Sequence, residues 1–210
     1  NVLVFEVLGA SLFVGTGADL NDDRTGMETD DATGFSVENA SFSMASVKKG
    51  TESFTGLQVT VTKAALVGID ALDLEVTGTV KLNQTSRADG QRIDWDSAST
   101  DPEGLLPALG IDQAQQLSIV AGATLNIGPG NVVLTVPLSI DGGTGALVTG
   151  LRLDMAIADV VTGNTELGTL TDANVLVFEV LGASLFVGTG ADLNDDRTGI
   201  ETDVATGFSV

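Results

Sequence analysis

The sequence predicts an all-β fold, built mainly from antiparallel strands and hairpins that are arranged in a tandem-repeat array. Two observations lead to this prediction. Apolar and polar residues alternate with a period of two over most of the chain, and short segments rich in Gly, Asn, Asp and Pro separate the alternating runs, which is the pattern of strands joined by turns. The chain also repeats itself, because residues 174–210 are a copy of residues 1–37.

The copy is displaced by 173 positions, and 35 of its 37 residues are unchanged. The exceptions are Met27, which corresponds to Ile200, and Asp31, which corresponds to Val204. Identity over this length does not arise from composition alone. We therefore expect residues 1–173 to form one full repeat unit, in arbitrary phase, and residues 174–210 to begin the next unit. Tandem units usually serve as scaffolds, stalks or binding surfaces rather than as single catalytic pockets.

Charge and missing residue types narrow the function. The chain has 29 Asp and Glu against 9 Lys and Arg, a net charge of −20, so it would repel phosphate backbones and we expect no nucleic-acid partner. It has no Cys and no His, which removes thiolate nucleophiles and the commonest general base. We therefore predict that the protein is not an enzyme. The most membrane-like stretch, Val2 to Val14, contains Glu6 and is shorter than the roughly 20 residues of a membrane helix, so we expect no membrane span.

The duplicated segment opens with apolar strands. Val2 to Leu8 is rich in β-branched and aromatic residues, with no polar alternation apart from Glu6, which predicts a strand covered on both faces. Ala10 to Gly15 follows Gly9 and predicts a second strand. Thr16 to Asp31 is polar and rich in turn-forming residues, and we expect it to be a loop.

This loop carries a candidate calcium site. Asp19, Asn21 and Asp23 have the D-x-N-x-D spacing with which calcium loops begin, and Asp30 stands at the twelfth position, where such loops place a bidentate ligand. Over this stretch the sequence resembles the start of an EF-hand-type or dockerin-like loop, and the resemblance implies Ca²⁺ as a cofactor. Arg24 stands where that pattern has Gly, so the alternative is a solvated acidic loop closed by Asx turns. The candidate ligands in the two copies are Asp19, Asn21, Asp23, Glu28, Asp30, Asp192, Asn194, Asp196, Glu201 and Asp203.

The middle of the unit contains the clearest strand and the only Trp. From Leu72 to Leu82 apolar residues alternate with polar ones, which predicts one face in the core and the other in water. Further on, Asp94 and Asp96 flank Trp95. Two carboxylates beside an aromatic ring are compatible with a sugar-binding or glycosidase-like site. In a strand, however, Trp95 would fill the core while both carboxylates face water, and we favour this plainer interpretation.

The last third of the unit predicts a hairpin. Leu117 to Ile127 and Val132 to Ile140 are alternating runs that flank the turn Gly128-Pro129-Gly130-Asn131, and a short Gly/Pro/Asn link between two such runs is a hairpin signal. Because Pro137 cannot donate to a ladder, the returning strand is expected to be an edge strand or to carry a bulge there.

The next strand leads to the copy. Leu151 to Ile157 predicts a strand with Arg152 and Asp154 on its water-facing side. Only Thr171 to Asn174 separate this unit from the copied strand, which suits a turn and leaves no room for a flexible linker. Because Val175 to Leu181 is apolar, we expect it to pair with the preceding unit, so that its edge is covered.

The alternative fold is an irregular β-solenoid. No shorter repeat is visible inside the unit of 173 residues, whereas regular solenoids repeat every turn of the chain. Antiparallel hairpins are therefore the favoured arrangement.

The chain resembles the tandem repeats of very large, acidic bacterial surface proteins of the adhesin type, on the basis of its unit length, acidity and near-identical duplication. The resemblance implies an extracellular or cell-surface location, with neighbouring copies of the same repeat as partners. The expected function is a structural repeat of a secreted or cell-surface fibre or stalk, built by end-to-end stacking of near-identical β units. The alternative is a calcium-stiffened binding module of an adhesin.

Overall fold

Strands are the only regular elements among the residues that the structure describes. The computed structural model describes residues 1–100, 104–128 and 130–210, and the predicted all-β class is confirmed. In these ranges, no helix is long and apolar enough to cross a membrane. The strands are β1 (Val2–Thr16), β2 (Asp19–Leu20), β3 (Met27–Glu28), β4 (Thr33–Lys49), β5 (Glu52–Val67), β6 (Leu72–Thr85), β7 (Gln115–Ile127), β8 (Val132–Val136), β9 (Ser139–Ile140), β10 (Leu147–Val161), β11 (Thr169–Leu181), β12 (Ser184–Thr189), β13 (Asp192–Leu193), β14 (Ile200–Glu201) and β15 (Thr206–Ser209).

Eleven of the strands form one sheet, with the order β1-β4-β5-β6-β7-β8-β12-β15 along its main path. The first half of β7 pairs with β10 and its second half with β8, and β10 in turn pairs with β11 and β9. The remaining four strands form the hairpins β2–β3 and β13–β14. All the pairings are antiparallel in the described part of the chain, as predicted, so it does not have the parallel ladders of a regular β-solenoid.

The predicted hairpin is formed by β7 and β8, which pair from Ile127↔Val132 to Ala123↔Val136. Its turn contains Pro129, which lies outside the described residues. The ladder ends at Val136, one residue before Pro137, because proline has no N–H to donate.

β1 is one strand, which corrects the prediction of two strands on either side of Gly9. Its register against β4 shifts between Val7 and Ala10, where Gly9 has a φ of 66°. Neighbouring strands are irregular at the same level, since Asn39 in β4 has a φ of 51° and β5 shifts register after Val61. A bulge reverses the alternation of side chains without ending the ladder, so one bulged strand has the sequence pattern of two.

The register divides the sheet into two chemically different faces. Paired residues in neighbouring strands share a face, so the pairs can be followed across the sheet. On one side, which we call the polar face, a row of paired residues consists of Glu6, Ser43, Gln58, Lys81, Ser118 and Asp154. On the other side, which we call the apolar face, the adjacent row consists of Phe5, Met44, Leu57, Leu82, Leu117, Met155 and Leu176.

The main core lies on the polar face. Described residues between β6 and β7 pack on this face and include Trp95, which is 1% exposed. The indole packs with Ala45 and Leu109, and its Nε1 donates a hydrogen bond to Oδ1 of Asn83 at 2.9 Å. The prediction that Trp95 fills the core is therefore confirmed.

Two predictions of burial are wrong. The Val2–Leu8 part of β1, predicted to be covered on both faces, leaves Leu3 and Phe5 more than half exposed. The apolar side of β6, predicted to lie in the core, is also open at Val80. Alternation identifies a strand, but the layer that covers it comes from distant residues that no local pattern encodes.

Asp154 is buried, which corrects the prediction that it faces water. Its Oδ2 accepts a hydrogen bond from Nε of Arg152, and its Oδ1 has no partner in the structure. Ile140 and Leu147, from β9 and the start of β10, line the same cavity as Asp154. The chain that folds over the polar face here is what removes the carboxylate from water.

The carboxylates on either side of Trp95 lie in a turn, not in the predicted strand. Oδ1 of Asp94 accepts hydrogen bonds from the backbone N–H groups of Asp96 at 3.1 Å and Ser97 at 3.4 Å. This Asx turn holds the backbone while Trp95 reaches the sheet.

Gly56 lies directly beneath the indole, so we predict that Gly56→Ala destabilises the fold. A Cβ at this position would meet Leu109 at 2.6 Å and the Trp95 ring at 2.7 Å. Overpacking of this kind costs about 1–3 kcal/mol and should lower the melting temperature by several degrees. The matched control is Gly142→Ala, because a Cβ at Gly142 meets nothing within 4 Å. Equal melting temperatures for the two variants would contradict the packing of Trp95 on this strand.

Candidate functional site

The polar loop of each copy folds as a short hairpin. In the first copy β2 pairs with β3, and in the second β13 pairs with β14 at the corresponding residues. Backbone bonds from Arg24 N to Asn21 O at 2.9 Å and from Asn21 N to Gly26 O at 3.1 Å close the turn. Arg24 has a φ of 60° and Arg197 a φ of 59°. The two loops therefore have the same local structure.

Side-chain oxygens of the predicted calcium ligands bind the turn itself. Oδ1 of Asn21 accepts the N–H of Gly26 at 2.9 Å. Oδ1 of Asp23 accepts the hydroxyl of Thr25 at 2.6 Å and its N–H at 3.0 Å, and these bonds hold the pKa of Asp23 below its usual value. In the second copy, Thr198 lowers the pKa of Asp196 in the same way.

The geometry is that of the alternative interpretation, a loop closed by Asx turns. Within the described ranges, no group of three or more acidic side chains is placed to hold a metal ion. Asp19 and Glu28 lie opposite each other in the hairpin, as do Asp192 and Glu201. Asn21, Asp23, Asn194 and Asp196 close the turns, and Asp30 and Asp203 lie in the turns before β4 and β15.

Calcium binding by the loop stays a prediction, and titration calorimetry checks it. Ca²⁺ would have to displace the Thr25 contacts of Asp23 and gather oxygens that the hairpin keeps apart. The expected result is heat of binding by the chain that is lost when Asp19, Asp23, Asp192 and Asp196 are all replaced by Ala.

The control for this titration replaces Asp22 and Asp195 by Ala, because these carboxylates carry the same charge but do not belong to the predicted ligand set. The absence of heat, with an unchanged melting temperature at millimolar calcium, would contradict the calcium prediction and leave the Asx-turn loop.

The second candidate site is the junction between the copies, where a continuous strand replaces the turn predicted at Thr171–Asn174. β11 runs through this segment without a break. Asp172 has a φ of 51°, and the register shifts opposite it, between Ala158 and Val160 of β10. A bulge in the ladder therefore absorbs the irregular residues that predicted a turn.

The copied strand pairs with two strands of the preceding sheet. Residues Val175–Leu181 pair with β10, ending at Gly150↔Leu181. After Gly182, which has a φ of 68°, β12 pairs with β8 from Ser184↔Thr135 to Val187↔Val132. The glycine allows the copied strand to bend here, so that its first part pairs with β10 and its second part with β8.

The loop of the second copy then folds back over the polar face of the preceding sheet. Phe186, which is 2% exposed, packs with Val133 and Ala191 in a second buried cluster. Gly130 admits this approach, since a Cβ there would lie 2.1 Å from the carbonyl oxygen of Ala191. Backbone N–H of Gly188 also donates to the carbonyl of Asn131 at 2.9 Å.

Arg197 fastens the loop to the sheet beneath it. Its Nη2 donates to Oδ1 of Asp73 at 2.8 Å and to Oγ1 of Thr124 at 3.0 Å, and its Nε lies 3.7 Å from Oε2 of Glu75. Its carbonyl oxygen accepts the hydroxyl of Thr135 at 2.9 Å. One residue of the copy thus contacts β6, β7 and β8 of the preceding unit.

The same residues are more exposed in the first copy. Arg24 forms no ion pair with any residue that the structure describes, whereas Arg197 pairs with two carboxylates. Burial of the residues at this contact follows the same division. The residues that are more buried in the second copy include Leu185, Phe186, Ala191, Leu193 and Arg197, which correspond to Leu12, Phe13, Ala18, Leu20 and Arg24.

Sequence reasoning missed the role of this arginine. One signal was present, since Arg24 is the only cation between Thr16 and Asp31. In the calcium-loop pattern, however, Arg24 is only a departure from the expected Gly. The partners Asp73 and Glu75 could not be identified, because they lie far away in the sequence and on the polar side of an ordinary alternating strand.

Comparison with protein-family models, with curated proteins and with solved structures found no match to this chain.

Proposed function

We propose that the chain is a structural repeat of a secreted or cell-surface fibre or stalk, in which near-identical β units join end to end through their strands. The observation that carries the proposal is the packing of residues 174–210 against the preceding sheet. Backbone pairing, a buried apolar cluster and the Arg197 contacts all occur there together. A strand that completes its neighbour's sheet is a common way for β proteins to associate.

The first copy supports the proposal from the other side. β1 pairs with β4, and no other strand in the described residues covers its second edge. In the second copy the equivalent edge, formed by β11 and β12, pairs with β10 and β8. A preceding unit placed there would cover the edge of β1, bury Phe13 and supply carboxylates to Arg24.

The array has a defined geometry. Six steps lead from β1 to its equivalent β12 along the sheet order, and neighbouring strands lie about 4.8 Å apart, so each unit adds about 29 Å. A separate compact domain of this length has a radius of gyration of about 16 Å and a diameter of about 40 Å. The two arrangements therefore differ in length per unit.

Composition supports a non-catalytic role outside the cell. The chain has no Cys and no His, which leaves carboxylates and a few cations as its only strongly ionisable groups. The proposed location outside the cell rests on the resemblance of this acidic repeat to the tandem repeats of bacterial surface proteins. A net charge of −20 keeps such chains apart except where their surfaces are complementary.

We predict that Arg197→Ala destabilises the chain more than Arg24→Ala does. Both arginines have the same sequence surroundings and a φ near 60°, so the backbone cost of Ala at a positive φ is the same in both variants. Loss of the cross-junction contacts should cost Arg197→Ala about 1 kcal/mol more. At this chain length the melting temperature should differ by about 2–4 °C.

Equal melting temperatures for these two variants would contradict the role of the arginine at the junction. A double-mutant cycle with Asp73→Asn and Arg197→Ala isolates the contact between the two side chains. If they stabilise the chain through this one contact, the double variant should lose less stability than the sum of the two single variants.

We also predict that the chain lengthens and gains stability as units of 173 residues are added. Small-angle scattering of chains extended by one and two units should show the maximum dimension growing by about 29 Å per unit. The melting temperature should rise in the same series, because each added unit adds one nearest-neighbour interface. Increments of about 40 Å or more with a constant melting temperature would show independent domains.

A further inference from the structure

The apolar face has no cover in the described part of the chain. Val136 is the one buried sheet residue on the apolar face in the described ranges. The other buried sheet residues lie on the polar face, where loops cover them. Val80 and Met155 lie in the interior of the sheet, yet they are 37% and 42% exposed. Residues this apolar, in the middle of a sheet, are normally covered by a second layer.

The face is large and carries no charge. Five successive rows of paired residues contain only apolar side chains and glycine; four of them extend from β1 to β11 or β12, and one extends from β1 to Val136 of β8. Two of these rows contain Phe5 and Phe42, whose rings are 5.6 Å apart in an edge-to-face pair. The charged row Glu6, Lys81 and Asp154 lies on the opposite side.

The size of the face fits a stable interface. Five rows about 6.7 Å apart and seven strands about 4.8 Å apart cover about 1,100 Å². Two such faces in contact would bury about 2,200 Å², which is within the range of permanent homodimers. The total exposed surface is 12675 Å², which is larger than the roughly 9,100 Å² of a globular monomer of this mass, and the apolar face accounts for about a third of the excess.

We propose that this apolar face packs against the same face of a second copy of the chain, to form a two-layered β-sandwich. A chain with a net charge of −20 repels its copies over most of its surface, and the apolar face is where they can meet without opposing charges. Identical faces also have identical row spacing, so side chains can interdigitate at the usual sheet separation of about 10 Å. The proposal does not depend on end-to-end joining, which uses strand edges.

The test compares the unaltered chain with a double variant, Val80→Lys with Met155→Lys. The molar mass of each is measured by light scattering over a range of concentrations. The unaltered chain should have twice the mass of one chain, and the double variant should be a single chain. Two lysines make the net charge less negative, so increased general repulsion cannot explain the loss. The matched control is Ser43→Lys with Val177→Lys, which adds the same charge on the polar face, next to Glu6 and Asp154, and should stay paired.

A second variant keeps the test valid if the first does not fold. Leu176 and Phe178 lie on the same face and are already largely exposed in the single chain, so Leu176→Lys with Phe178→Lys should leave the sheet intact. A circular dichroism spectrum checks that each variant is folded.

Three results would overturn the proposal. The first is an unaltered chain that has the mass of a single chain at every concentration, which would assign the face to a different occupant. The second is an assembly that persists in both folded lysine variants, which would place the contact at strand edges. The third is equal dissociation of the face variant and the control, which would make charge rather than the face responsible.

Discussion

Backbone pairing along the copied strand is the constraint on which the rest of the junction depends. The hydrogen bonds from β11 to β10 and from β12 to β8 set which side chains point to the polar face. A slip of one residue would exchange the faces, which would remove Phe186 from its cluster and carry the following hairpin away from the sheet. The contact between Arg197 and Asp73 is therefore a consequence of the register. It adds a modest stability of its own, because both side chains are partly exposed.

The two copies show separately what local sequence and surroundings contribute. The hairpin turn, with its Asx bonds and its arginine at positive φ, is the same in both copies, so local sequence is sufficient to form it. The burial of equivalent residues differs between the copies, and each copy has residues that are more buried than their equivalents in the other. Phe186 is more buried than Phe13 because it has a sheet beneath it, whereas Ser209 is exposed and its equivalent Ser36 is buried beneath neighbours that the second copy does not have. Surroundings decide which residues of an unchanged segment form a core.

Much of the fold follows from alternation and turn chemistry, and the limits of that reasoning have physical causes. The hairpin of β7 and β8 and the core position of Trp95 could be predicted because each depends on neighbouring residues. The bulge at Gly9 could not, since it looks like the end of one strand and the start of another. Nor could the burial of Asp154, which depends on a segment that folds over the polar face. The candidate site was the least predictable part, because the carboxylate of Asp73 that pairs with Arg197 lies 124 residues away in the sequence.

The two proposed contacts act in different directions, and their combination accounts for an apolar face on a strongly acidic chain. Edge pairing extends the sheet across its strands, whereas face pairing joins two sheets along their normal. In a ribbon built both ways, the apolar rows are enclosed and the polar faces, with their loops and charges, point outward on both sides. A third layer would have to bring into contact two polar faces, which carry residues such as Glu6 and Glu75, and the net charge of −20 per chain opposes this. The same acidity from which we predict no nucleic-acid partner would thus limit the ribbon to two layers while it grows in length.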